Sequence, residues 1–241
     1  MIPGDSLGRS VRTFTGIYAT IALLVLLAGA VRESMPYLYY IAKPLVMVSL
    51  SIFLFYRLQL SSGRLHYLLQ GAILFSLMGD IFLMFEGNLY FQLGLASFLV
   101  AQIFYIILFA LTPKAEIRPV LRRRPWLLLP FMLYVYSLLY LLTPRLGELL
   151  IPVLIYSLTL TTMAIMALNR WRRVRQESFA YVFAGALLFL LSDSIIAVNR
   201  FASDLLPLSF AQTWIMLTYI AAQYGLGVGM LIHLKSVKPQ G

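Results

Sequence analysis

Two aspartates, Asp80 and Asp193, lie in stretches that are otherwise as apolar as a bilayer interior: the first in Leu74-Phe-Ser-Leu-Met-Gly-Asp-Ile-Phe-Leu-Met84, the second closing Gly185-Ala-Leu-Leu-Phe-Leu-Leu-Ser-Asp193. An ionised side chain facing lipid costs a few kcal/mol or more, so each acid must face protein or water, and each marks a candidate functional site. Two carboxyl groups that share a site do not ionise together, which leaves one proton donor beside one anion, the arrangement of general acid–base chemistry. Lys43 is the one lysine well inside an apolar stretch. It is either the charge partner of the acids or a group that binds a substrate phosphate. The alternative to chemistry is a structural polar cluster in which Lys43 and the aspartates hold helices together.

The elements that position these residues must be membrane spans. Of the 241 residues, 61% are hydrophobic and 12% charged, against about 45–50% and 25% in soluble domains. Bilayer-length apolar windows fall at 15–31, 37–56, 66–85, 89–111, 126–142, 149–168, 179–199 and 211–234. They predict an all-α polytopic membrane protein of eight transmembrane helices, forming a single domain over 1–241. None shows the alternation of an outer-membrane strand.

The net charge of +10 is a topology signal. Fifteen Lys and Arg flank the spans on one side (Arg9, Arg12, Arg57, Arg64, Lys114, Arg118, Arg122–Arg124, Arg170, Arg172, Arg173, Arg175, Lys235 and Lys238), while the other side carries only Arg32, Arg145 and Arg200. The positive-inside rule then places both termini in the cytoplasm. No aromatic residues interleave Arg122–Arg124 as a nucleic-acid groove requires, so no nucleic-acid partner is expected. Arg9 and Arg12 followed by an apolar run and Ala28-Gly29-Ala30 imitate a signal peptide, but an uncut first helix preserves the even count that the charge split demands. Cysteine is absent, which removes disulfides and thiolate-bound metals. His66 and His233 have no ligand spacing, and no nucleotide-binding glycine pattern opens a helix. No metal and no cofactor is expected.

An internal repeat brings the acids together. Gly71-Ala-x-Leu-Phe-x-Leu before Asp80 matches Gly185-Ala-x-Leu-Phe-x-Leu before Asp193, Ala101-Gln102 is echoed by Ala222-Gln223, and Pro44 by Pro152. This suggests two four-helix halves, 15–112 and 126–234, in parallel repeat about an axis along the membrane normal. At about 1.5 Å per residue, Asp80 and Asp193 each lie roughly 21 Å from the cytoplasmic edge of a ~30 Å core, with Lys43 and Tyr156 in the same layer. Ser76, one turn before Asp80, either bonds that acid or its own helix carbonyl. Asn199 and Arg200 sit at the outer end of the seventh span, where Arg200 is a snorkelling residue or a headgroup clamp. Tyr37, Tyr39, Tyr40, Tyr134 and Tyr136 read as interfacial aromatics.

Ala42-Lys-Pro-Leu-Val-Met47, Phe75-Ser-Leu-Met-Gly-Asp-Ile-Phe-Leu-Met84, Leu190-Leu-Ser-Asp-Ser-Ile-Ile-Ala-Val-Asn-Arg-Phe201 and Tyr219-Ile-Ala-Ala-Gln-Tyr-Gly-Leu226 together resemble the YhhN family of eight-helix membrane lysoplasmalogenases. The resemblance runs from the second span to the eighth. It implies hydrolysis of the vinyl ether bond of lysoplasmalogen, a lysophospholipid, to a fatty aldehyde and glycerophospho-ethanolamine or -choline. Carried over residue by residue, the family's glycine–aspartate pair falls on Gly79 and Asp80, its serine–aspartate pair on Ser192 and Asp193, and its lysine–proline pair on Lys43 and Pro44. In that reading Asp80 and Asp193 are catalytic, one the proton donor and the other the anion, in either order. Lys43 or Arg200 holds the phosphate, with Tyr156, Ser192, Asn199 and Gln223 as further substrate contacts, and the chain enters sideways between helices. Paired carboxylates in a two-fold repeat also describe a proton-coupled transporter, and a non-catalytic lipid-binding scaffold is a third class. Short loops and a basic interior fit a bacterial inner membrane.

Overall fold

The computed structural model describes residues 3–58, 63–112 and 117–236, with side chains from residue 7 onward. Lys114 and Lys238 lie outside the described residues. Those described are helical with turns between: α1 Pro3–Ala30, α2 Pro36–Leu58, α3 Arg64–Phe82, α4 Asn88–Leu111, the single turn α5 Val120–Arg123, α6 Leu129–Leu146, α7 Leu150–Leu168, α8 Gln176–Phe201 and α9 Ala211–Ser236. Eight of these are long, in the order the hydropathy predicts. Their outward faces carry exposed Leu23, Ile52, Leu133 and Ile151. Such a belt suits lipid, and closing all backbone hydrogen bonds within helices is what a bilayer demands.

One boundary differs from the sequence expectation: the first helix begins some three turns earlier than residue 15. Pro125–Leu168 is apolar over 44 residues, and the break expected between 142 and 149 falls within it. A straight helix of that length would span about twice a ~30 Å core. The run reverses instead at Gly147, whose φ of 49° is in the left-handed region that a side chain would strain. Cross-links to the α8 segment show the reversal. Along α6, Tyr134 meets Ser194 and Arg145 meets Asp204, so α6 runs parallel to α8. Along α7, Val153 clusters with Ala202 and Tyr156 meets Asp193, so α7 runs antiparallel to it. Pro44 falls inside α2, where its missing N–H leaves the Tyr40 carbonyl without its ladder partner, yet the helix continues.

Close approach of two helix pairs sets the positions of the acids. A Cβ on Gly185 would stand 2.8 Å from the Ala222 carbonyl oxygen, and one on Gly225 would stand 2.8 Å from that of Tyr181. The backbones of α8 and α9 therefore touch, as small-residue seams allow in membranes. In α3, a Cβ on Gly79 would meet the Phe98 ring of α4 at 2.6 Å. That glycine lets the ring lie against the α3 backbone immediately before Asp80. α9, buried along most of its length, packs against α1, α2, α3 and α8 and so reaches both acid-bearing helices.

Candidate active site

Asp80 lies near the carboxyl end of α3, Asp193 two turns before the end of α8, and Lys43 two turns into α2. Chain direction brings these three positions to one end of the bundle, away from Arg118–Arg124 and Arg170–Arg175. All three line one cavity, with Ser192, Asn199, Arg200 and Tyr219 also in its wall.

The two acids are held differently. Lys43 Nζ stands 3.6 Å from Asp80 Oδ1 and donates to the Asp80 backbone carbonyl at 3.2 Å. Tyr219 of α9 donates to Asp80 Oδ2 at 2.6 Å. Lys43 and Asp80 are both buried, with 6% and 3% of their surface exposed. Asp193 accepts a hydrogen bond from the Tyr156 hydroxyl of α7 on Oδ2, and no ion pair to it occurs among the described residues. It is only half-buried, because its other face opens to the cavity. One acid thus has a cation and a phenol; the other has a phenol and open space.

Around this pair the wall is graded. Arg200, exposed at the mouth, donates to Asn88 Oδ1 at 2.9 Å and lies over the Phe91 ring at 3.9 Å, which fixes its guanidinium at the rim. Phe98 meets Phe189 and Tyr219 edge to face at 6.0 and 5.8 Å, forming an aromatic floor beneath the acids. Ser192 donates to the Ile215 carbonyl at 3.2 Å, tying α8 to α9.

The structure therefore gathers Lys43, Asp80, Ser192, Asp193, Asn199 and Arg200 around one space, with Tyr156 adjoining through Asp193. It does not bring Gln223 there. That amide is fully buried one turn further along α9 and accepts from the Tyr105 hydroxyl at 3.0 Å. Ser76 bonds neither Asp80 nor its own helix carbonyl; its buried hydroxyl has no hydrogen-bond partner among the described residues. Tyr39 is buried rather than interfacial, accepting from Gln212 at 2.6 Å, and Tyr134 is tied to Ser194. Sequence reasoning missed Tyr219 and Gln212. Tyr219 opens the Tyr-Ile-Ala-Ala-Gln stretch, and its place one turn before a buried glutamine was the available signal.

The model of the YhhN family matches residues 38–230, which takes in every residue of this site. The chain belongs to the YhhN family. Its curated relatives include the lysoplasmalogenase TMEM86B of Sus scrofa, 36% identical over 188 residues that make up 76% of this chain and 71% of that one. TMEM86B of Homo sapiens is 36% identical over 166 residues (67% and 62%), and lysoplasmalogenase TMEM86A of Homo sapiens 31% over 174 residues (69% and 64%). No solved structure matches the YhhN chain.

Proposed function

We propose that this protein hydrolyses the vinyl ether bond of lysoplasmalogen, releasing a fatty aldehyde and glycerophospho-ethanolamine or -choline, with Asp193 as proton donor and Asp80 as the stabilising carboxylate. The observation that carries the reading is the unequal support of two acids on one cavity, in a chain whose relatives are named lysoplasmalogenases.

A vinyl ether hydrolyses when its β-carbon takes a proton. The C=C π pair forms the new C–H bond, and the carbon bearing oxygen becomes an oxocarbenium ion. Water adds there and loses a proton to the ionised acid; the resulting hemiacetal then collapses to aldehyde and the glycerol hydroxyl. The step needs an acid, a nearby anion and one water. Asp80, paired with Lys43, is the anion that faces the developing cation in a site of low polarity, where such charges interact strongly. Asp193, with no cation beside it, holds the proton, and the Tyr156 hydroxyl fixes its carboxyl group. Arg200 at the rim meets the phosphate, and its hydrogen bond to Asn88 orients the guanidinium for it.

Both acids lie within unbroken helices, α3 and α8, and this favours hydrolysis over transport, since carriers place substrate against interrupted helices. With the basic loops in the cytoplasm, as in a bacterial inner membrane, the cavity faces the opposite leaflet.

The test is fatty aldehyde release from lysoplasmenylethanolamine by the detergent-purified protein, beside Asp80→Asn and Asp193→Asn with folding checked. The wild type is expected to release aldehyde, and each variant to lose about 10²–10⁴-fold, the usual contribution of a positioned acid. Near-wild-type turnover in both variants would overturn the pair; no aldehyde from the wild type would overturn the reaction.

A further inference from the structure

The cavity that holds the acids does not end at them. A second space shares the walls Leu83, Phe91, Phe98, Asp193 and Ile196 with the first. Beyond Asp193 and Tyr156, which bond each other, its lining is carbon: Leu95, Val153, Ala197 and Phe201 among others. Further out, an open groove lies between α4 and α7, walled by Gln92, Leu95, Ala96, Leu99, Pro152 and Ile155. Leu95 belongs to both the inner space and the groove, and Val153 stands next in sequence to Pro152. Gln92, Ala96 and Ile155 are exposed on the bundle's outer surface, where the bilayer would be.

We infer that the hydrocarbon chain of the substrate runs from Asp193 through this apolar arm and leaves the protein between α4 and α7 past Leu95, so that the lipid is taken in sideways from the bilayer. The inference rests on the proposed hydrolysis for the identity of the chain, and on the three adjoining spaces for its path.

The ends of the path match the ends of a single-chain phospholipid. The polar chamber with Lys43 and Arg200 suits a glycerophosphate headgroup, and the carbon-lined arm suits its chain. Asp193 lines both, at the junction. In a vinyl ether the carbon that takes the proton is the first on the chain side of the C–O-bearing carbon, so a lipid lying this way presents it to Asp193. Lipid tails are as apolar as the groove, and a chain slides from one to the other without a desolvation penalty. The arm therefore selects by shape. A lipid with two chains would have to force its second into the chamber of charged groups, where burying polar groups against hydrocarbon is costly.

A photoreactive lysophospholipid carrying a diazirine in mid-chain tests the path without requiring turnover. With the purified full chain in nanodiscs, adducts are expected on residues 92–99 of α4 and 152–155 of α7. Adducts concentrated instead on the apolar face between α6 and α8, around Tyr134 and Leu187, would overturn the path. Leu95→Trp gives the second measurement, with Ile155→Trp in its place should the first fail to fold. Plugging the opening is expected to raise the ratio of short-chain to long-chain kcat/KM at least tenfold, whereas a merely structural defect would lower both alike and overturn the assignment. Adducts at α4 and α7 with no aldehyde from any vinyl ether would sink the hydrolysis and leave the path standing; aldehyde with adducts elsewhere would do the reverse.

Discussion

Lys43 and Arg170 are both buried cations, placed at opposite ends of the bundle, and they are answered in opposite ways. Lys43 has a carboxylate at 3.6 Å and a cavity beside it. Arg170, with none of its surface exposed, has no acid in an ion pair among the described residues. Its Nη2 donates to Ser178 Oγ at 3.1 Å, that hydroxyl donates to the Gly229 carbonyl at 2.8 Å, and the guanidinium lies over the Phe109 ring at 5.4 Å. Its Nε and Nη1 have no hydrogen-bond partner among the described residues. Just beyond the carboxyl end of α7, it meets the negative end of that helix and ties it to α4, α8 and α9. A buried charge given an acid and open space is equipped for chemistry, whereas one given a ring, a hydroxyl and helix ends is a clamp.

The largest effect that would break this contrast is at Lys43. Lys43→Met leaves the Asp80 carboxyl buried without its cation, and removing one partner of a buried pair typically costs about 3–5 kcal/mol. Thermal unfolding in detergent should show that loss, and aldehyde release should fall with it. Lys43→Met combined with Asp80→Asn should recover most of the stability and none of the turnover. Recovery of turnover in the double variant would show that the pair is structural, like Arg170.

Arg170→Met should do the converse. The relief of an unpaired buried charge offsets the lost hydrogen bond to Ser178, so stability should change by no more than about 1 kcal/mol and turnover not at all. Burial pushes the Arg170 guanidinium down from its ordinary range to about 9. The unfolded chain therefore binds the proton more tightly, and stability from this residue rises with pH above about 9. Unfolding midpoints of wild type and Arg170→Met followed from pH 7 to 10.5 should move in the wild type's favour at the alkaline end. A gap between the two that stays constant would mean that Arg170 has an anionic partner after all.

The same contrast explains what the sequence disclosed. Asp80, Asp193 and Lys43 stood out because a charge in an apolar run is expensive and has few bland explanations. Tyr219 did not, because a tyrosine on an apolar helix looks like every other interfacial aromatic, and only the packing of α9 against α3 shows its hydroxyl reaching Asp80. Gln223 was drawn to the site by an internal repeat, yet repeats preserve helix faces rather than depth; one turn along α9 puts it against Tyr105. Arg170 was hidden by its neighbours, since beside Arg172, Arg173 and Arg175 it counts as one more loop cation. The long helices were legible from hydropathy alone, and so was the reversal at Gly147, which falls in the gap between the apolar windows 126–142 and 149–168.

A third cation sets the lower end of the scale. Arg145, at the end of α6, makes two hydrogen bonds to Asp204, from Nη2 at 3.1 Å and from Nε at 3.4 Å. The geometry is two-pronged, as guanidinium–carboxylate pairs prefer, but Asp204 is exposed to solvent. The hydrogen bond from Arg145 holds the Asp204 carboxyl below its ordinary range. A carboxyl depressed in the folded state adds stability above its unfolded value, and that stability disappears as pH falls through the folded value. Water and salt screen such a pair, so Asp204→Asn should shift the unfolding midpoint only slightly at pH 7, less at high salt, and not at all in acid. Turnover should be unaffected. If Asp204→Asn instead cost as much as Lys43→Met, burial would not be what separates these cations, and the contrast between the two ends of the bundle would have to be rebuilt on geometry alone.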